Sequence, residues 1–348
     1  MVCASLLLAA LGAAAAAQET RFFRIGTAAT GGSFFEIGGV IASAISSPGQ
    51  APRCGHGGGC GVPGLVAVAQ ATQGSLENIR LVNAGQLESG FAQADLAGWA
   101  YTGSELFRKD GPMPQLRAIG SLFPETLQVV VRADSAIRGI RGLKGRRVAL
   151  GGLGSGTVAN ARVLLAAAGL RDTDVQRKYL RPSQAVEGLR AGTLDALVIA
   201  GGAPVPAVQQ LATTTPIRLL PIDGAIAEAL LREFAFYRRA TIPPDTYPGV
   251  ADETETVGFH ALWLVSAAAD PALIYAITKA LWNEATGRLL AGLDPLGRSV
   301  RLEDALVGLS VPLHPGAERF YREAGMALDD LPQAAPESPQ THVEDGSR

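Results

Sequence analysis

Two glycine-rich turns hold most of the chemistry this sequence can perform. The first is TAATGGSF, residues 27–34, and the second is GGLGSGT, residues 151–157. Each follows a β-like run and opens a helical one. A helix N-terminus presents unpaired N–H groups and the positive end of the helix dipole. Glycine lets a ligand approach that backbone, and Ser33, Ser155 and Thr157 add hydroxyl donors. The pair reads as two anion-receptive faces, one per domain, closing on a small carboxylate. Ordinary strand–helix turns with N-caps have the same composition. The export signal and two-domain length described below favour binding.

Other chemistry finds little support. The chain has four histidines. His56 sits in a Cys-bearing loop, His342 in a polar tail, His260 in an apolar β-like run and His314 before Pro315-Gly316. His260 reads as a satisfied core histidine and His314 as a turn residue. No H-E-x-x-H, C-x-x-C or G-x-S-x-G occurs. In GGLGSGT the third glycine comes too early for G-x-G-x-x-G, and no lysine follows as a Walker loop requires. No catalytic residue, no metal and no cofactor is therefore expected. Cys54 and Cys60, in PRCGHGGGCGVPG, fit a disulfide in an oxidising compartment. The competing reading, zinc held with His56, lacks a nearby fourth ligand.

The chain that positions these turns has 348 residues, with 30 Lys+Arg against 32 Asp+Glu and a net charge of -2. No basic block gives a footprint for nucleic acid. The length suits two domains, and 47% hydrophobic residues supply their cores. Residues 1–17, MVCASLLLAALGAAAAA, carry no charge and read as a signal peptide ending at an A-x-A site before Gln18. No Lys or Arg precedes that apolar run, and an N-terminal anchor is the competing reading.

Strand-like and helical runs alternate. Strands are expected at residues 22–27, 65–71, 89–93, 116–123, 127–131, 147–150, 196–200, 217–221 and 256–266. Helices are expected at 33–45, 74–83, after Asp95 as N-cap, at 157–168 and, as one amphipathic run, at 271–290. This alternation implies an α/β protein with mainly parallel sheets. Pro332, Pro336 and Pro339 interrupt a polar tail read as disordered.

On these residues the chain resembles the TAXI group of solute receptors, the extracytoplasmic binding proteins of tripartite ATP-independent periplasmic (TRAP) transporters. The matching segments run in order: IGTAATGGSFFEIGG, CGVPGLVAVAQATQGSLENI, GFAQAD, RAIGSLFPE, VVVRADS, LKGRRVALGGLGSGT, NARVLL, GTLDALVIAGGAP, TIPPDTYPG, YAITKALW and LHPGAERFYREAG. The loop from Cys54 to Cys60 before GVPG also resembles one branch of that family.

The resemblance implies a two-lobed, type II-like periplasmic-binding-protein fold with two crossing segments between the lobes, near residues 123–131 and 256–265. Residues 18–125 and 241–328 would form lobe one, residues 126–240 lobe two and residues 329–348 a tail. It implies a periplasmic receptor, not an enzyme, that delivers a small organic anion, glutamate-like or another carboxylate, to membrane permease subunits. The alternatives are an exported ligand-sensing protein and an exported α/β enzyme. The implied cleft positions are Thr30, Gly31, Gly32, Ser33 and Phe34 in the first turn, Gln93 and Asp95 in FAQAD, and Glu125 in LFPE. Ser155, Gly156 and Thr157 come from the second turn, and Gly201, Gly202 and Ala203 from AGGAP. Asp95 is read as a helix N-cap or an amine partner, and Glu125 as an amine partner or a hinge hydrogen bond. Arg132 and Arg162 are the candidate clamps, with solvated or structural roles as the competing reading.

Overall fold

The computed structural model describes residues 20–47 and 61–334. The proposed signal peptide, the Cys54–Cys60 loop and most of the proposed tail lie outside those residues.

The first lobe opens with β1 (Arg21–Gly26), α1 (Ser33–Ile45), the short strands β2 (Ser46–Ser47) and β3 (Val62–Pro63), and β4 (Leu65–Gln70). It continues through α2 (Ser75–Asn83), β5 (Ser89–Gln93) and α3 (Ala94–Thr102) to the long strand β6 (Leu116–Arg132). The second lobe holds β7 (Arg147–Ala149), α4 (Gly156–Ala167), β8 (Gln176–Lys178), α5 (Pro182–Arg190), β9 (Ala196–Gly201) and α6 (Pro206–Ala212). It closes with β10 (Ile217–Leu220), α7 (Gly224–Glu233) and β11 (Arg238–Ile242). Strand β12 (Thr254–Ser266) leads back to α8 (Pro271–Leu281), α9 (Glu284–Ala291) and α10 (Pro315–Glu323).

Strands β6 and β12 are the crossings. They pair antiparallel from Thr126 opposite Gly258 to Leu116 opposite Ser266. On one side β12 pairs with β5, and β1 joins β5 and β4 in parallel. On the other side β6 pairs with β9 antiparallel, and β9, β7 and β8 run parallel. The fold is therefore α/β with two lobes on one continuous sheet, mainly parallel within each lobe, with antiparallel pairing at the crossings, where β10 also joins β6 and β11 joins β12, and between β2 and β4.

Side-chain alternation along β6 divides the second lobe's core. Leu127, Val129 and Val131 pack on one face, and Val130 packs on the other with Leu197 and Ile199. A period of two is what a strand covered on both faces requires. In the first lobe, Ile25, Ile37, Phe91, Phe123 and Trp263 share one core.

Three local expectations are corrected. Residues 116–132 form one strand and do not break at Pro124. Pro124 is exposed and lies opposite His260 on β12, just before β9 joins at Thr126. Its missing N–H falls where only one neighbouring strand pairs, a position a sheet tolerates. The helix expected at 271–290 is two helices, because Asn283 starts α9 anew by accepting a hydrogen bond from the Thr286 N–H at 2.8 Å. Asp95 is not a helix N-cap. Gln93 holds that position, and Asp95 lies inside the first turn of α3.

His314 does more than turn the chain. It is fully buried at the N-cap of α10, where Nδ1 accepts from the Gly316 N–H at 3.2 Å and Nε2 lies 3.1 Å from the Ala269 carbonyl. That network requires the neutral ring with Nε2 as donor, and burial holds its pKa below the usual histidine value. The folded state thus binds fewer protons than the unfolded state once pH falls below the ordinary value near 6.5. Stability is full above that value and declines beneath it. Melting temperatures of the wild type and His314→Asn, measured from pH 7.5 to 5, should show a steeper acid-side fall in the wild type. Parallel curves would contradict this role.

Candidate functional site

Four helix N-termini converge on a cleft between the lobes. From the first lobe come α1, through Gly32 and Ser33, and α2, through Gly74 and Ser75. From the second come α4, through Ser155, Gly156 and Thr157, and α5, through Arg181 and Pro182. The N-caps of α1 and α2 are glycines without a side-chain cap. Ser155 caps α4 by accepting from the Val158 N–H at 3.4 Å. Thr157 accepts from the Ala200 N–H at 3.2 Å, so its own hydrogen remains a donor. The cavity measures about 70 Å³, several times the roughly 10–15 Å³ that one water needs.

The lobes meet closely around this cavity. Ser33 donates to the Gly202 carbonyl at 3.1 Å, and the Ala207 N–H donates to the Gly31 carbonyl at 3.1 Å. The Glu77 N–H reaches the Gly154 carbonyl at 3.3 Å. Gly156 is the closest approach. A Cβ there would run into the buried Gln93 amide and Leu96 of the opposite lobe. Its neighbour Gly154 has φ +85° and packs against Gln73. These two positions explain why the second turn is glycine-rich: one needs a left-handed backbone, the other needs no side chain.

The floor is acidic. Asp95 is fully buried and accepts from the Leu96 N–H at 2.8 Å, Asn160 Nδ2 at 2.7 Å and the Tyr237 hydroxyl at 3.3 Å. It thereby ties α3 of one lobe to α4 of the other. Burial pushes its pKa up to about 6, against these donors. Glu125 is 2% exposed, and burial, with Asp95 nearby, raises its pKa well above the ordinary glutamate value. Gln93 Oε1 and Glu125 Oε2 are buried without a hydrogen-bond partner among the described residues, and both side chains line the cavity.

The structure brings together Gly32, Ser33, Phe34, Gln93, Glu125, Ser155, Gly156 and Thr157 along the cavity lining. Phe34 also packs edge-on against Phe91 and Phe123, joining wall to core. Asp95 lies behind the lining in the Asn160–Tyr237 network. Thr30 and Gly31 line a separate outer groove. Gly201, Gly202 and Ala203 lie outside the lining. A Cβ at Gly201 would meet Ser33, and one at Gly202 would meet Phe123.

Several lining residues escaped sequence reasoning, among them Ala28, Ala29, Gln73, Ser75 and the β9 wall at residues 197–200. Arg181 is another, with its neighbours Leu180, Pro182 and Ala185. It is exposed at the cleft and makes no ion pair with any described residue. Its signal was present: proline at the first helical position after Arg181 marks a helix start. The expected clamps sit elsewhere. Arg132 pairs with Asp134, and Arg162 contacts Asp172 and Tyr179.

A family profile described as NMT1-like matches residues 25–325. The chain belongs to the NMT1-like family. Among solved structures, it is similar to the alkanesulfonate-binding protein SsuA from Xanthomonas axonopodis pv. citri bound to MOPS. Identity is 19% over 87% of this chain and 84% of that one, with a TM-score of 0.45. Similarity to the periplasmic aliphatic sulphonate binding protein SsuA from Escherichia coli is 17% identity over 87% and 84%, TM-score 0.42. The substrate binding protein of an amino acid ABC transporter gives 14% identity over 78% and 98%, TM-score 0.43. Among the described residues of this NMT1-like chain, no helix is long and apolar enough to cross a membrane, and no three His, Cys, Asp or Glu side chains gather as metal ligands.

The Gly156 approach yields a direct test. Alanine fits the first turn of α4 by itself, so Gly156→Ala should leave the second lobe folded but hold the lobes apart at Gln93. Small-angle scattering should show an expanded molecule. An unchanged radius of gyration would mean that the Gln93 side chain simply moves aside.

Proposed function

We propose that this NMT1-like protein is an exported solute receptor that captures a small carboxylate between its lobes. The observation that carries this reading is the convergence of four helix N-termini, two from each lobe, on one small cavity. An anion there meets unpaired N–H groups and the positive ends of the helices, each end contributing typically 0.3–1 kcal/mol. Thr157 supplies a hydroxyl donor and Arg181 a cation at the mouth. Both lobes contribute donors, so the ligand favours the closed form by its contacts with each.

The finer reading follows the TAXI resemblance. The receptor delivers its ligand to the membrane permease of a TRAP transporter, after export to the periplasm by residues 1–17. A bridge between Cys54 and Cys60 belongs to that exported form.

A thermal-shift screen of acetate, succinate, 2-oxoglutarate and L-glutamate against neutral sugars tests the ligand class. Stabilisation by carboxylates alone is expected, and stabilisation by sugars alone would end the reading. Thr157→Ala then tests the site with any carboxylate that binds. Losing a hydrogen bond to a charged group costs about 1.5–3 kcal/mol, so affinity by calorimetry should fall roughly tenfold to hundredfold. The variant also leaves the Ala200 N–H without its acceptor, so some loss of melting temperature accompanies the effect. A lowered melting temperature with unchanged affinity would remove Thr157 from the site.

A further inference from the structure

We propose that Glu125 occupies the closed cleft as the neutral acid and donates its proton in a hydrogen bond to the bound carboxylate, so that the captured ligand holds a proton in the site. This inference rests on the carboxylate-receptor reading above.

The first support is geometric. Glu125 is buried, lines the cavity, and has an Oε2 atom with no partner among the described residues. A buried ionised carboxylate without donors is costly, whereas a neutral acid is far less so. The second support is the contrast with Asp95. Asp95 receives three hydrogen bonds, from the Leu96 backbone, Asn160 and Tyr237, while Glu125 receives none from the described residues. Two carboxyls buried near each other do not ionise together readily, and donors favour the charge at Asp95.

Among the described residues no ion pair reaches Glu125, and among the lining residues the one cation, Arg181, is exposed at the cavity mouth. The ionisable groups on the elements packed around β6 include Glu77 on α2, Arg181 before α5, Tyr237 and Arg238 beside β12, and His260 on β12. Burial, and then the nearby Asp95, both act against ionisation of Glu125. The third support is the cleft itself. Helix N-termini aimed at the cavity favour an anion, and an ionised Glu125 in its wall would repel that anion. The neutral acid turns the same side chain into a donor. No covalent step is involved: the proton stays on Glu125 and is shared with the ligand oxygen.

The consequence is pH-dependent capture. Above the pKa of Glu125 in the ligand-free cleft, binding must take up a proton, and affinity falls by up to about tenfold per pH unit. Affinities for succinate and L-glutamate, measured by calorimetry from pH 6 to 9 on the full mature chain, should fall with pH. Titration at a pH where affinity is falling, in two buffers of different ionisation enthalpy, should show uptake of up to about one proton per ligand. Glu125→Gln keeps a donor. It should weaken binding less than about tenfold at pH 6 and abolish both the slope and the uptake. Loss of affinity beyond about a hundredfold at every pH, confined to L-glutamate, would identify Glu125 as an ionised partner of the amine and overturn the proposal.

An infrared arm needs no ligand. The wild type at pH 7 should show a protonated-acid C=O stretch that Glu125→Gln lacks, and its absence from the wild type would also overturn the proposal. If neither probe binds, the receptor reading fails on its own, while the infrared band still decides the protonation state.

Discussion

The antiparallel pairing of β6 with β12 is the constraint on which the rest of the molecule depends. The two strands pair from Leu116 opposite Ser266 to Thr126 opposite Gly258, with register shifts at Ala261/Leu262 and Trp263/Leu264, and both lobes are built outward from them. β5 adds to β12 on one side, and β9 adds to β6 on the other. Glu125 sits where this handover occurs, at the end of the first lobe's share of β6. Its side chain therefore lines the cleft from one of the two strands whose backbone belongs to both lobes.

The contacts between the lobes are both apolar and polar: Trp99 of the first lobe packs edge-on against Phe234 of the second, and Val158 and Ala159 of α4 join the first lobe's core. Ser33 to Gly202, Ala207 to Gly31 and Glu77 to Gly154 are hydrogen bonds to backbone carbonyls. The Asp95–Asn160–Tyr237 network and the Ser33–Gly202 bond are buried. An intramolecular hydrogen bond contributes only about 0.5–1.5 kcal/mol net. A ligand shifts such a seam toward the closed form only through contacts that it makes better there than in the open one.

Much of the fold was legible because local signals agreed. The helix over residues 33–45, the helix ending at Asn83 and the strand over 89–93 end where caps and periodicity place them. The failures share a cause: tertiary context overrode a local cue. Pro124 reads as a break, yet the crossing strand passes through it because the proline lies where one neighbour pairs. The long amphipathic run after Pro271 reads as one helix, yet Asn283 supplies a competing N-cap. Asp95 reads as a cap by type and position, and only the second lobe's Asn160 and Tyr237 reveal another use for its carboxylate. In the cleft, the glycine turns were readable from composition and from the TAXI resemblance. The apolar β9 wall at residues 197–200 was not, since nothing in a buried strand distinguishes a cavity wall from core.

Helix ends alone do not explain how this cleft could hold an anion. Stripping water from a carboxylate costs several kcal/mol even in a relaxed protein interior. Four helix ends at roughly 0.3–1 kcal/mol each supply about 1–4 kcal/mol together, which at best matches that cost. Direct donors must provide the surplus, at about 1.5–3 kcal/mol for each hydrogen bond to a charged group. The Thr157 hydroxyl and the uncapped first turns of α1 and α2 are positioned for this, and each lies at a backbone kept open by glycine or a small side chain. The same accounting bears on the floor. An ionised carboxyl beside the ligand would subtract from the surplus by an amount comparable to one of those bonds, whereas a neutral acid adds to it. The anion-receptive helix ends and the buried glutamate are thus mutually consistent only when the glutamate carries its proton. Asp95, already saturated with donors behind the wall, is the group that can hold the floor's negative charge without facing the ligand.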